Sequence, residues 1–246
     1  MSQRRLLRDG LLILLFLLML VTILPATAAG QSDEGTPPVA AQASSPVTSP
    51  ALTATERAAT IVYLDVPLTD PYAAAIYALA AAQIITGFPD RTFRPDAPIK
   101  RMQFAKMICL GMVLTPSIFD PCPFNDVPSG LDPLDPFYPD HYVTAAYLAG
   151  VTQGKTSTKY APYDPITRYQ LISMMVRAAQ QQMPGRIRIP PSSYRSTWDP
   201  AASKDHGQNA RIAEYNGMLD YLPLDELDPW GPMPRGEVAQ VVFNTI

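Results

Sequence analysis

The sequence predicts an all-α array in which one helix–loop–helix unit is used three times. Three observations carry this reading. Two prolines and an arginine recur in register, as Pro95, Pro98 and Arg101, then Pro162, Pro165 and Arg168, then Pro229, Pro232 and Arg235. The arginines are 67 residues apart both times, and a fixed period of this kind marks a repeat architecture. Around them, apolar residues follow helical spacing with no sustained period-2 alternation, and much of the proline (27 residues in all) falls in the loops.

The chain begins differently. Arg4, Arg5 and Arg8 precede an apolar run from Leu11 to Leu24, and Ala26-Thr27-Ala28 offers small residues for cleavage. Residues 1–28 therefore read as a secretory signal peptide. The run is short for a membrane span of about 20 residues, although an uncleaved anchor or a buried helix remains the alternative reading. No cysteine follows it closely, so a lipid-modified N-terminus is not expected. The expected location is outside the cytoplasm. Removing this segment takes away three arginines and one aspartate, moving the net charge from −3 to −5. A mildly acidic chain argues against a nucleic-acid partner, which would want a basic face. Residues 29–59 follow as a Pro/Ser/Thr/Ala-rich linker, for example Thr36 to Pro50. Such a stretch has no apolar period and cannot bury a core.

The repeats then occupy 60–118, 119–186 and 187–246. In the first, Asp70-Pro71 suits an N-cap and first turn. Ala75, Ile76, Leu79, Ala82 and Ile85 fall on one helical face, and Gly87 is placed to end the helix in the left-handed conformation. A proline-rich loop leads to a second helix from about Lys100 to Leu114, through Phe104, Ile108 and Met112. The second copy places helices at about His141 to Gly150 and Thr167 to Ala179. The third places them at about His206 to Gly217 and from Pro234 to the end.

The same segments resemble S-layer homology repeats. That pattern runs from an aromatic-x-Asp-Val opening through a helix ending near Gly and a Pro-Asp loop to an Ile-Thr-Arg-Ala-Glu turn. The first copy is similar in Tyr63-Leu-Asp65-Val66, Gly87-Phe-Pro-Asp90 and Ile99-Lys-Arg101. The second is similar in Phe124-Asn-Asp126-Val127, Gly154, Tyr160-Ala-Pro162 and Ile166-Thr167-Arg168. The third is degenerate, with Tyr221 where the others have Gly and Met233-Pro-Arg235-Gly-Glu237 at the turn. The resemblance implies a pseudo-threefold assembly that attaches to bacterial cell-wall polysaccharide, often a pyruvylated and hence anionic secondary polymer. Other envelope or S-layer proteins are a further class of partner. It also implies polysaccharide-binding roles for Asp65, Gly87, Arg101, Asp126, Gly154, Thr167, Arg168 and Arg235.

Thr-x-x-Glu is also a capping box. Thr167-Arg-Tyr-Gln170 keeps it, whereas Lys100 and Pro234 lack the capping hydroxyl. An arginine in the first turn opposes the helix dipole, so its threefold presence wants a reason. One reason is an anionic ligand, since free N–H groups and a guanidinium fork suit a carboxylate or phosphate. The other is structural pairing, of Arg101 with Asp65 or Asp96 and of Arg168 with Asp126 or Asp164. The intact capping box makes the Arg168 turn the preferred ligand site. Phe88, Phe93, Tyr160, Tyr163 and Trp230 read as core residues or as sugar-stacking faces.

No enzyme motif emerges. His141 and His206 belong to no zinc or nucleophile pattern. Asp126, Asp132, Asp135 and Asp140 lack calcium-loop spacing. No phosphate-binding glycine loop occurs, no cofactor is expected, and the repeats leave little of the chain for a catalytic domain. Cys109 and Cys122 fit either one disulfide, as an oxidising compartment permits, or two free thiols. The function expected is non-covalent wall attachment; the alternative is an envelope scaffold that keeps the fold without binding sugar.

Overall fold

A computed structural model describes residues 62–246; the expected signal peptide (1–28) and the whole expected linker (29–59), with residues 60 and 61, lie outside the described residues. Six α-helices are found among the described residues: α1 Ala73–Ala81, α2 Arg101–Gly111, α3 Asp140–Leu148, α4 Arg168–Gln182, α5 Gly207–Tyr215 and α6 Arg235–Thr245. Two short 3-10 turns, Pro200–Ala202 and Leu224–Glu226, punctuate the final third. No strand is present among the described residues, in keeping with the all-α expectation. None of these helices is long and apolar enough to cross a membrane.

The helices pair across the expected unit boundaries. α3 lies on α2, α5 lies on α4, and α1, the first helix, lies on α6, the last. The arginine-led helices also meet at the centre, α4 touching both α2 and α6. Each of them is therefore covered by the first helix of the next unit, and the last unit is covered by the first. A single apolar core runs through all six helices.

At the centre three loop segments close a ring of backbone hydrogen bonds. Ile99 N–H donates to Met233 O at 3.2 Å, Met233 N–H to Ile166 O at 3.0 Å, and Ile166 N–H to Ile99 O at 3.1 Å. All three side chains are fully buried. This is why an apolar residue precedes each arginine turn by two positions. The residue must fill the centre while its peptide groups, cut off from water, pair with the next loop.

Helix ends depart from the sequence expectation in one instructive way. α1 stops at Ala81, and the left-handed residue is Gln83 (φ 60°), not Gly87. Gly87 is required for space: a Cβ there would collide with the Tyr63 ring and stand 2.7 Å from Thr92 O. Gly154 combines both demands, with φ +77° and a Cβ position blocked by the Phe124 ring and by Lys159 O at 2.8 Å. Such backbone favours glycine because it has no side chain to clash. Tyr221 adopts φ 72° at the corresponding place in the last third. Likewise α2 ends at Gly111, short of Leu114, while α4 continues past Ala179 to Gln182.

Candidate functional site: the three arginine turns

Each arginine sits at the first position of its helix, and each is buried: Arg101 is 4% exposed, Arg168 8% and Arg235 8%. Their backbones are held alike by the following loop. Arg101 N–H donates to Asp164 O (3.0 Å), Arg168 N–H to Gly231 O (3.1 Å) and Arg235 N–H to Ala97 O (2.9 Å). The next residue repeats this, Met102 to Pro162 O, Tyr169 to Pro229 O and Gly236 to Pro95 O. Two of the orphan N–H groups of each helix start are thus spent on tertiary contacts.

The guanidiniums reach across the same three junctions, and here the copies differ. Arg101 Nε donates to Tyr160 O at 2.8 Å, Nη1 reaches Gln170 Oε1 at 3.3 Å, and the group lies 4.5 Å from the Tyr160 ring centre. Arg235 Nε donates to Phe93 O at 2.8 Å and Nη2 to Thr86 O at 3.1 Å, over the rings of Phe93 and Phe88. Neither forms an ion pair among the described residues. Burial lowers the Arg235 pKa from its ordinary value. Arg168 stands apart: it grips Glu237 with two bonds of 2.7 Å, Nε to Oε2 and Nη2 to Oε1, and its Nη1 donates to Asp228 O. This is the fork-to-fork pairing that a carboxylate ligand would offer, supplied by the chain itself.

None of the pairings expected from sequence forms; the real partners lie one unit further on. Arg101 is bonded to neither Asp65 nor Asp96, and Arg168 pairs with Glu237 in place of Asp126 or Asp164. The opening aspartates serve the loops instead. Asp65 accepts from Phe93 N–H and Arg94 N–H, both at 2.7 Å. Asp126 accepts from Tyr160 N–H at 2.8 Å and Ala161 N–H at 2.9 Å. In each case the second donor is a non-glycine residue at positive φ, Arg94 (61°) or Ala161 (58°), so the carboxylate stabilises a backbone turn that costs energy. Burial works against ionised Asp126, but its N–H partners and the Lys159 charge outweigh this and lower its pKa.

The capping box is complete only at Thr167, whose hydroxyl accepts from Gln170 N–H at 3.3 Å while Gln170 Oε1 accepts from Thr167 N–H at 3.5 Å. At Lys100 only the returning half is made, Lys100 N–H to Gln103 Oε1 at 3.0 Å. Pro234 makes neither, and the residue that would reach back, Glu237, is turned to Arg168.

Of the aromatic residues, Phe93 and Tyr160 are core. Tyr163 and Trp230, which are 67 residues apart, are 53% and 49% exposed. Each is in the loop that receives the preceding arginine turn, Tyr163 next to Asp164 and Trp230 next to Gly231. Lys100 Nζ lies 5.6 Å from the Tyr163 ring centre. At the corresponding position the first loop has Asp96. The Arg101 junction therefore brings together two cations and an accessible aromatic face. The Arg168 junction has an aromatic face but a neutralised cation, and the Arg235 junction has the cation without that face. The sequence reading, which preferred the Arg168 turn for its intact capping box, did not pair Arg168 with Glu237, although the acidic side chain there, where the other turns have Gln103 and Gln170, was the available signal.

The thiols are free. Cys109 is buried where α2 meets α3 and its Sγ contacts Tyr142 O at 3.3 Å, whereas Cys122 is half-buried. Of the two readings of this pair, the structure has the unbonded one. Burial pushes the Cys109 thiol up to about 12.

Comparison with known proteins bears directly on this geometry. Residues 62–105, from the opening segment through Asp65 and Gly87 to the first turn of α2, match the family model of the S-layer homology domain. Over residues 62–105 the chain matches an S-layer homology domain. Domains of this family generally anchor proteins to the cell wall. The chain is 36% identical over 96 residues to an endoglucanase of Bacillus sp. (strain KSM-635), a match covering 39% of this chain and 9% of that protein. It is 25% identical over 177 residues to the exoglucanase XynX of Acetivibrio thermocellus, covering 70% of this chain and 15% of that protein. An amylopullulanase of Thermoanaerobacterium thermosulfurigenes is also 25% identical, over 176 residues, 70% of this chain and 9% of the relative. The chain thus spans 15% or less of the length of these relatives.

Proposed function

We propose that residues 62–246 act as three S-layer homology repeats that hold the protein non-covalently to an anionic cell-wall polysaccharide, outside the cytoplasm and without a catalytic role. The observation that carries this is the Arg101 junction. A buried guanidinium without a carboxylate partner lies at a helix start, beside Lys100 and the open face of Tyr163. An unpaired buried cation is costly, and an acidic sugar offers both the anion that would neutralise it and a C–H face for the ring. The Arg168 turn, preferred from sequence, carries its own carboxylate and is the weaker site in this reading. Arg235 ranks between them.

The test is a pull-down of the full chain with purified cell-wall sacculi, before and after acid removal of wall polysaccharide. Tyr163→Ala and Lys100→Ala alter exposed side chains and should leave the fold intact, whereas Arg101→Gln is made with circular dichroism as a folding check. Binding should vanish with the polymer and fall in all three variants, and Arg168→Gln should affect it less than Arg101→Gln. Retention by stripped sacculi, or wild-type binding by Y163A and K100A, would refute the assignment. An envelope-scaffold function is the second reading, favoured by Phe119 and Leu134, which are almost fully exposed apolar residues. Binding that is insensitive to salt would support it, because carboxylate recognition weakens with ionic strength.

A further inference from the structure

The segment where the last third departs from the aromatic-x-Asp-Val opening, residues 192–200, lines with Arg211 an open surface depression of about 500 Å³ that is separate from the arginine turns. Its lining combines Arg195 and Arg211 with one carboxylate, Asp199, the residues Tyr194 and Pro200, and the hydroxyl side chains of Ser192, Ser196 and Thr197. A concave site with a few convergent polar groups and an aromatic wall has the general form of a small-ligand site.

The walls are held in place partly by their own side chains: Ser196 Oγ donates to Trp198 O and Thr197 Oγ1 to Glu214, both at 2.9 Å, which leaves these two hydroxyl oxygens as acceptors. Arg195 spends Nη1 on Ser192 O at 3.0 Å. Arg211 spends Nη2 on Tyr194 O at 3.3 Å and on Pro191 O. A guanidinium has five N–H donors, so Nε and one terminal nitrogen of each arginine are left over. Neither arginine forms an ion pair among the described residues. The carboxylates of the site, Asp199 in the lining and Glu214 beside it, already accept hydrogen bonds from within the protein. Glu214 accepts from Thr197 N–H (2.9 Å) and from its hydroxyl (2.9 Å), and Asp199 accepts from Ala201 N–H at 2.8 Å. Tyr194 is braced edge-to-face by Tyr215, with ring centres 5.0 Å apart.

We infer that this depression is a second binding site, for a carboxylate-bearing sugar of one or two residues. The carboxylate would sit between Arg195 and Arg211, the sugar hydroxyls would donate to the oxygens of Ser196 and Thr197 and meet Ser192, and the ring would lie against Tyr194. The site does not depend on the arginine turns. It would let the last third, whose own turn is the most eroded, contribute to wall binding by a different route.

The experiment is a nuclear magnetic resonance titration of the ¹⁵N-labelled full chain with D-glucuronate, D-glucose and inorganic phosphate. Glucuronate should shift the amide signals of residues 192–200, with a dissociation constant in the millimolar range, and glucose should bind at least tenfold more weakly. Arg195→Gln, an exposed position, should weaken glucuronate about tenfold. Arg101→Gln should leave these shifts unchanged, which separates this site from the Arg101 junction. Shifts that are equal for glucose and glucuronate, absent with glucuronate, or untouched by R195Q would overturn the proposal. Phosphate binding as tightly as glucuronate would overturn its sugar component, leaving a site that reads charge alone.

Discussion

Replacing Glu237 by Gln should destabilise the protein and, in the same step, create an anion site. Arg168 and Glu237 keep only 10% and 7% of their side-chain surface exposed, and they share two bonds of 2.7 Å. Breaking a buried pair by removing one partner costs about 3–5 kcal/mol, because the other charge is left uncompensated. The cost should fall near the lower end, about 3 kcal/mol, because Gln keeps the shape and one acceptor. Gln170 plays that part for Arg101 in the same molecule, at 3.3 Å. At roughly 2–4 °C per kcal/mol for a chain of this size, the melting temperature should drop by about 6–12 °C. Thermal melts followed by circular dichroism measure this directly. Repeating them in acetate should return part of the lost stability to E237Q and much less to the wild type, since a ligand that binds only the folded form stabilises it. The Arg168→Met/Glu237→Met double variant should recover stability without acetate. If E237Q melts within about 2 °C of the wild type, a change worth roughly 1 kcal/mol or less, the ion pair does not hold the junction. If acetate acts equally on both proteins, Glu237 is not occupying an anion site.

Two further perturbations probe the loops and caps. Thr167→Ala should cost about 1 kcal/mol through the lost hydroxyl cap, whereas Lys100→Ala should change stability by no more than about 0.5 kcal/mol, because that turn is capped only through backbone N–H; urea unfolding of both variants tests the contrast. Asp126 has a folded-state pKa below its unfolded value, so its contribution is present above about pH 4 and is lost as pH falls through the folded value. Asp126→Asn should therefore be less stable at neutral pH, with a shallower loss of stability below pH 4. Parallel slopes for D126N and wild type in acid would show that the carboxylate is not what holds Tyr160 and Ala161.

Much of the architecture could be read from local pattern, because its causes are local. Helical spacing, Thr167 with Gln170, and the fixed distance from Pro162 and Pro165 to Arg168 all express short-range chemistry within a few residues. Gly87 and Gly154 also stood out as fixed points, although the reason for Gly87 was misjudged: it yields space to Tyr63 and takes no left-handed turn.

What the sequence determined by itself, then, was the class of fold, its period and the residue types at each turn, since these follow from backbone preference and the burial of one helical face. Only the tertiary structure decided which partner each recurring position meets. The ring of Ile99, Ile166 and Met233 joins residues 67 or more apart, and Arg235 closes on Phe93 across 142 positions. Identical arginines therefore became unequal: one faces Gln170, one faces backbone carbonyls, and one is neutralised by Glu237. The physical reason is that a guanidinium's charge is balanced by what packs against it in space, and spacing along the chain carries no information about that neighbour.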